Sequence, residues 1–261
     1  MSGSTENIDT LKQNMRREAI GRRKEVGEDE RAEAGVRLGE LAAQLLNGLL
    51  NGQEGEDFRA DIGPTTNEVN DVDHSVTIDT NDSNDIGINL SVPINTNWLT
   101  TALKPGDMVA AYVSMGTEVS TFGLLDELDE CELRVLVPQL GSGRDIGWSK
   151  YGGKSGLHKM PHTATGGLRP AEPDGKTLEP EAIADAKIVF IPAFAIDLDG
   201  TRLGRGGGWY DQVLGLCRAD AIKIGVCWDW EFINRHGAVP REVHDIPVNT
   251  VITNKRIIIL Q

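Results

Sequence analysis

The 261-residue chain predicts a three-layer α/β sandwich built on a mainly parallel sheet. Three observations point there. Short apolar runs such as "MVAAYVS" (108–114), "KIVFIPAFAI" (187–196) and "AIKIGVC" (221–227) do not alternate with polar residues, so those strands are buried on both faces. Helical stretches separate them, as crossovers between parallel strands require. The composition, 39% hydrophobic and 25% charged, suits one globular domain over 1–261 with a sizeable core.

In chain order, Asp9 or Thr10 is positioned to cap a first helix through "LKQNMRREAIGRRKEV", with Leu11 and Met15 stacked at i, i+4. Gly27 interrupts it. "EDERAEAGVRLGELAAQLLNGLL" opens on acids that complement a helix dipole and carries an apolar stripe through Val36, Leu41 and Leu45. From 51 to 105 the texture turns to Asn, Asp, Thr and Gly, and reads as an insertion into the main fold. Within it, "HSVTIDTNDSNDIGINLSV" alternates on both sides of "TNDSND", the pattern of a β-hairpin. The rhythm then becomes strand (108–114), helix ("TFGLLDEL"), strand ("LRVLVP") and a long Gly-rich loop (141–175) with room for short strands. A helix "EPEAIADA", the strand 187–196, a glycine loop, a helix "WYDQVLGLC", the strand 221–227, a short helix "WEFIN" and one final strand within 249–260 complete the chain.

The net charge of −14 argues against nucleic-acid or anionic-membrane partners, which need clustered Lys and Arg. Residues 51–100 hold ten acids and one arginine, so −9 of that total belongs to the insertion. Cys131, Cys217 and Cys227 are odd in number and never spaced C-x-x-C, which disfavours a disulfide framework or cysteine zinc site. The N-terminal residues lack an apolar signal core and no window reaches membrane-span length, so a cytoplasmic protein is expected. The five histidines form no convincing metal site, and nothing demands more than a monomer.

The densest chemistry lies in "GTRLGRGGGWYD" (200–211), with glycines at 200, 204, 206, 207 and 208. A strand, a glycine loop and a helix in sequence suit an anion: bare backbone N–H groups turn inward, and the helix start adds partial positive charge. Arg202 and Arg205 add forked donors matched to phosphate oxygens. Neither common fingerprint fits. G-x-G-x-x-G from Gly204 would need glycine at 209, which is Trp, and a Walker A loop from Gly200 would need glycine at 205, which is Arg. Asp211, in the first helical turn, either holds a magnesium ion beside the phosphates or only complements the helix dipole.

"IPAFAIDLDGTRLGRGGGWYDQVL" (191–214) strongly resembles the signature of the 5-formyltetrahydrofolate cyclo-ligase family. "KQNMR", "VSMGTEV" and "VHDIPVNTVIT" resemble further blocks of that family in the right order. The resemblance implies a Rossmann-like sheet of the type shared with sugar-phosphate isomerases and CoA transferases. It implies ATP- and Mg²⁺-dependent ring closure of 5-formyltetrahydrofolate to 5,10-methenyltetrahydrofolate. It also implies that Lys12 and Arg16, one helical turn apart, reach ATP phosphates, and that Arg202, Leu203, Gly204, Arg205, Gly206, Gly207, Gly208, Trp209 and Tyr210 wrap the triphosphate. Of these, Arg205 and Tyr210 would serve catalysis and Arg205 and Trp209 would face the folate. Val113 and Glu118 would line the folate site, and Asp211 and Asp245 would hold magnesium. Trp148 and Tyr151 are candidates for stacking on the pterin or benzoyl ring, or for anchoring their own loop.

Three positions depart from the family pattern. Trp209 replaces a usual Tyr and loses a hydroxyl, Asn249 replaces a usual Asp and removes a charge expected near the metal, and Gln139 stands where a basic residue is frequent. Two rivals stay open: a sugar-phosphate isomerase or acyl-transfer relative on a similar sheet, and a non-catalytic member that retains nucleotide or folate.

Overall fold

The structure is a computed structural model, described here over residues 7–51, 61–62, 102–139, 146–162 and 168–260. The predicted hairpin at 74–92 and most of the 51–105 segment lie outside those residues. The chain on either side of the segment meets, however: the Leu103 N–H donates to the Leu49 carbonyl at 3.1 Å.

An eight-stranded sheet forms the middle layer. Its strands are β1 (Asp61–Ile62), β2 (Met108–Ala110), β3 (Arg134–Gln139), β4 (Gly147–Lys150), β7 (Ile188–Pro192), β10 (Ile222–Val226), β12 (Thr250–Ile252) and β13 (Ile257–Ile259), in the order β1-β13-β12-β10-β7-β2-β3-β4. The five central strands, β12, β10, β7, β2 and β3, run parallel, β4 is antiparallel to β3, and β13 is antiparallel to β12 but parallel to β1. Successive residues of β7 serve opposite faces. Ile188 and Phe190 join one core, beneath α2 (Glu28–Asn51) and α3 (Phe122–Glu130), and Val189 and Ile191 join the other, with Ile183, Val213 and Leu214. Helices on both faces and continuous apolar strands are the same fact seen twice.

Helix α1 (Ile8–Glu25) is capped by the Asn7 side chain, which accepts from the Asp9 N–H, two or three residues earlier than Asp9 or Thr10 would place it. In α2 the buried stripe is Leu38, Leu41, Leu45 and Leu49, whereas Val36 is 64% exposed, against expectation. The contact with α3 sets that stripe. A Cβ on Gly39 would lie 3.1 Å from the Gly123 Cα, so the two helices approach closely where neither has a side chain.

Two predicted single strands are each two. Residues 187–196 divide into β7 and β8 (Ala195–Asp197). Strand β8 leaves the main sheet to pair with β9 (Arg202–Leu203) and β11 (Phe232–Ile233). Residues 249–260 form the β12–β13 hairpin. A third small pair, β5 (Leu157–His158) and β6 (Glu172–Pro173), lies in the long Gly-rich loop, and α4 (Trp209–Leu214) follows the glycine loop. The expected helix at 179–186 is a 3-10 turn over Pro180–Asp185. No helix among the described residues is long and apolar enough to cross a membrane.

Candidate active site

Chain order reverses in the sheet between β2 and β7: β3 lies on one side of β2, and β7, β10 and β12 continue on the other. Loops diverge at such a switch point and leave a crevice at the C-terminal strand ends. A cavity of about 480 Å³ occurs there, floored by Tyr112 and Val113 beyond β2 and by Pro192, Ala193 and Phe194 beyond β7. The other walls are α1, the 202–211 loop and the 242–245 turn.

Local geometry explains how the loop reaches this place. Pro192 is the last residue of β7, and the Ala193 N–H still donates to the Val226 carbonyl of β10 before the chain leaves the sheet. The buried Asp197 carboxylate then gathers the N–H groups of Asp199, Thr201 and Val239 and folds the β8–β9 turn. Gly200 (φ +71°) completes that turn where a Cβ would lie 2.3 Å from the Val248 carbonyl oxygen, so no other residue fits. The hairpin delivers Arg202, whose buried guanidinium meets Asp211 in the first turn of α4.

The cavity is rich in cations, each held by a protein partner. Lys12 Nζ donates to Glu242 Oε2 at 2.7 Å and to Asp245 Oδ2 at 2.9 Å. Arg16 Nε donates to the Gly204 carbonyl at 2.8 Å. Arg205 Nη2 donates to Glu118 Oε1 at 3.0 Å, and Glu118 Oε2 accepts from the Met115 N–H at 2.9 Å. Burial opposes ionisation of Asp245, but the Glu242 N–H and the Lys12 ammonium hold its carboxyl below the usual range. Burial likewise works against the Lys12 ammonium, yet Glu242 and Asp245 raise it overall. Burial, then the Glu118 charge, pushes the phenols of Tyr112 and Tyr210 well above their ordinary value, so both remain protonated donors. The Tyr210 hydroxyl and Arg202 Nε are buried without a hydrogen-bond partner. Two unmatched donors beside a cavity suit an acceptor-rich ligand.

Of the residues singled out in the sequence, Lys12, Arg16, Val113, Glu118, Asp245 and every position from Arg202 to Asp211 line this one cavity. Trp148 and Tyr151 do not, and of the two roles open to them their burial fits anchoring rather than ring stacking. Trp148 is wholly buried behind Trp209, ring centroids 4.9 Å apart, and donates to the Pro180 carbonyl. Tyr151 belongs to the α2–α3 core, where burial and then the charges of Asp126 and Asp129 push its phenol up to about 12. Trp209 donates through Nε1 to the Ile146 carbonyl at 3.1 Å. Asn249 is at the opposite end of the sheet, accepting from the Lys223 N–H at the start of β10, so its missing charge does not bear on the cavity. Gln139 is buried and bonded to the Pro173 and Gly175 carbonyls and the Thr177 hydroxyl.

Carboxylates that could hold a metal ion line the cavity, both expected residues, Asp211 and Asp245, among them. Among the described residues, Glu242, His244 and Asp245 bring ligand atoms within 4.8 Å of one another. Two hard carboxylate groups suit magnesium, and the Lys12 ammonium resting on both shows that the turn accommodates positive charge. Asp211 faces the same cavity but is outside that cluster, paired with Arg202.

Several residues of the site gave no sequence signal of their own. Arg23, Phe194, Glu231 and Glu242 are among them. Arg23 follows Lys12, Arg16 and Ala19 at helical spacing, so the inward stripe of α1 is largely cationic. That period was readable; which of four neighbouring arginines faces inward was not.

A profile of the 5-formyltetrahydrofolate cyclo-ligase family matches residues 97–254. The 5-formyltetrahydrofolate cyclo-ligase of Mycolicibacterium smegmatis is 37% identical over 167 residues, covering 61% of this chain and 79% of that protein. The Escherichia coli protein of the same name is 26% identical over 152 residues, covering 57% and 79%. The fold is similar to that of Aquifex aeolicus 5,10-methenyltetrahydrofolate synthetase (TM-score 0.57, 23% identity, 96% of this chain and 93% of that one). It is also similar to that of the Mycoplasma pneumoniae synthetase (TM-score 0.51, 14% identity, 94% and 99%). With more than half of its length matched, the chain belongs to the 5-formyltetrahydrofolate cyclo-ligase family.

Proposed function

We propose that the cavity holds ATP and 5-formyltetrahydrofolate together and closes the folate to 5,10-methenyltetrahydrofolate, with release of ADP and phosphate. One observation carries this reading. Cations from two distant parts of the chain, Lys12 and Arg16 on α1 and Arg202 and Arg205 on the loop, meet in a cavity that also exposes apolar floor and one buried glutamate. A triphosphate uses that spread of charge, whereas a sugar monophosphate leaves the α1 pair surplus.

In this reading Lys12, Arg16, Arg202 and the N–H groups of 204–208 take the triphosphate. Glu118 accepts hydrogen bonds from the pterin amino groups, and Val113, Phe194 and Trp209 offer apolar contact. The formyl oxygen attacks the γ-phosphorus and ADP leaves. The folate N-10 then attacks the activated carbon, and phosphate departs with the former formyl oxygen. No side chain acts as nucleophile, so the protein contributes position and charge. Arg205, between Glu118 and the glycine loop, follows the migrating phosphoryl charge, and the protonated Tyr210 hydroxyl donates to it. Asp245 and Glu242, with Asp211 once phosphate occupies Arg202, offer oxygen ligands to magnesium, which would neutralise phosphate charge. Apart from Asp61–Ile62, which pair with β13, residues 51–105 are read as an excursion from the single catalytic domain, since the chain departs and returns beside Leu49.

The test is to incubate the protein with ATP, magnesium and 5-formyltetrahydrofolate and follow methenyl absorbance. Absorbance that rises only with all three present is expected. ATP and folate binding with no turnover would leave a non-catalytic member of the family.

A further inference from the structure

Beneath the cavity lies an ion pair that no step above uses, one member of which, Arg23, reaches its lining. Arg23, three turns beyond Lys12 on α1, and Glu231, in the 3-10 turn after β10, have side chains only 3% and 0% exposed. They meet in a two-pronged contact, Nε to Oε1 at 2.6 Å and Nη2 to Oε2 at 2.8 Å. A buried pair of this sort is a poor source of stability, because desolvating both charges offsets most of their attraction. Its partners suggest another use.

Each end of the pair grips a different wall. Arg23 Nη2 also donates to the Ala193 carbonyl at 2.6 Å, and the guanidinium lies 4.4 Å from the centre of the Phe194 ring. Those two residues are the floor where β7 ends, and Arg205 approaches the same ring at 5.8 Å. Glu231 Oε2 accepts from the Trp228 N–H at 2.9 Å, and Trp228 Nε1 donates to the Thr117 carbonyl at 3.1 Å, next to Glu118. The pair therefore ties α1, which carries Lys12 and Arg16, to the Phe194 floor and, through Trp228, to the loop that carries Glu118.

We propose that Arg23 and Glu231 are the positioning pair of this site, fixing the α1 phosphate ligands and the Glu118 wall in one register. This rests on the ATP and folate subsites described above. The pair exchanges no proton with either substrate. It acts through Ala193, Phe194 and Trp228, and its loss should weaken both substrates together. A lysine at 23 keeps the charge but cannot supply the planar fork that serves two carboxylate oxygens and a carbonyl at once.

The experiment uses the full chain and three variants: Arg23→Lys, Glu231→Gln, and the double variant Arg23→Met/Glu231→Leu. The double variant removes both charges and replaces them with apolar groups, a change that buried pairs tolerate. ATP and 5-formyltetrahydrofolate binding are measured by calorimetry, KM and kcat by methenyl formation, and folding by thermal melt. The double variant is expected to melt near the parent while KM for both substrates rises on the order of tenfold, with a smaller change in kcat. Arg23→Lys is expected to show the same two-substrate KM rise at reduced size. A double variant that melts like the parent and keeps both KM values within about twofold would overturn the proposal. So would Arg23→Lys with parental kinetics, should the double variant not fold. If the parent itself binds both substrates without turnover, the calorimetric affinities still decide the question, separately from the catalytic reading.

Discussion

Replacing Arg205 by glutamine separates catalysis from folding. The Arg205 side chain is 46% exposed, while its partner Glu118 is 5% exposed. An ion pair with one partner so open to water contributes about 1 kcal/mol or less. Glutamine retains an N–H donor for Glu118 Oε1, and Glu118 Oε2 keeps the Met115 N–H, so the carboxylate is not left bare. For a chain of this length that predicts a melting shift of about 2–4 °C at most. Turnover should respond differently. Removing one donor aimed at developing charge costs about 10²–10³ in rate, or roughly 3–4 kcal/mol at about 1.4 kcal/mol per decade. The assay is methenyl formation at saturating ATP, magnesium and folate, beside a thermal melt of the same preparation. A variant with kcat within about threefold of the parent would refute the role given to Arg205. So would activity lost only in proportion to unfolded protein.

Other outcomes follow from the same geometry. Asp245→Asn should raise the magnesium concentration for half-maximal rate by about tenfold, by analogy with the loss of one hard ligand; Asp211→Asn should raise it too, along with KM for ATP. A magnesium titration of Asp211→Asn that overlays the parent would leave Asp211 as the partner of Arg202 alone. Gly206→Ala places a side chain at φ +94°, 3.3 Å from the Arg16 guanidinium carbon, and the left-handed backbone alone costs about 1–2 kcal/mol. KM for ATP should rise several-fold, with kcat less affected, in steady-state kinetics. Burial opposes ionisation of Asp107, but Lys187 and Lys104 hold its carboxyl below the usual value. Its stabilising effect is therefore complete above the unfolded carboxyl value of about 3.9 and is lost as pH falls through the lower folded one. Melting curves of the parent and Asp107→Asn should differ at neutral pH and converge below about pH 4.

How much of this was legible depends on whether a signal was local. The parallel sheet was, because strands buried on both faces must be continuously apolar. That same continuity hid the division of 187–196: β7 and β8 are both largely buried, so no change of polarity marks where the chain leaves the main sheet. The 249–260 hairpin was hidden in "TNKR", where the Thr253 hydroxyl accepts from the Lys255 and Arg256 N–H groups and makes the turn. Val36 stands five residues before Leu41, off the 38, 41, 45, 49 period that turns inward, where Gly39 approaches Gly123.

At the site, the glycine loop was legible because its bare backbone and arginines lie within twelve residues. Trp148 was not. Two tryptophans near an expected ligand look alike in sequence, yet one faces the cavity and the other supports it from behind. Asn249 was misplaced for a related reason. It is four residues from Asp245, but the chain between them runs along the sheet to begin β12 beside the start of β10. The Glu242 partner of Lys12 is 230 residues away in sequence, beyond the reach of any local pattern.

The most direct measurement is a crystal structure of the protein with a non-hydrolysable ATP analogue and 5-formyltetrahydrofolate. The expected result is a triphosphate between Arg16 and the 204–208 backbone, its terminal phosphorus facing the formyl oxygen, with the pterin against Glu118. A nucleotide bound elsewhere, with the glycine loop making no phosphate contact, would contradict the proposed site.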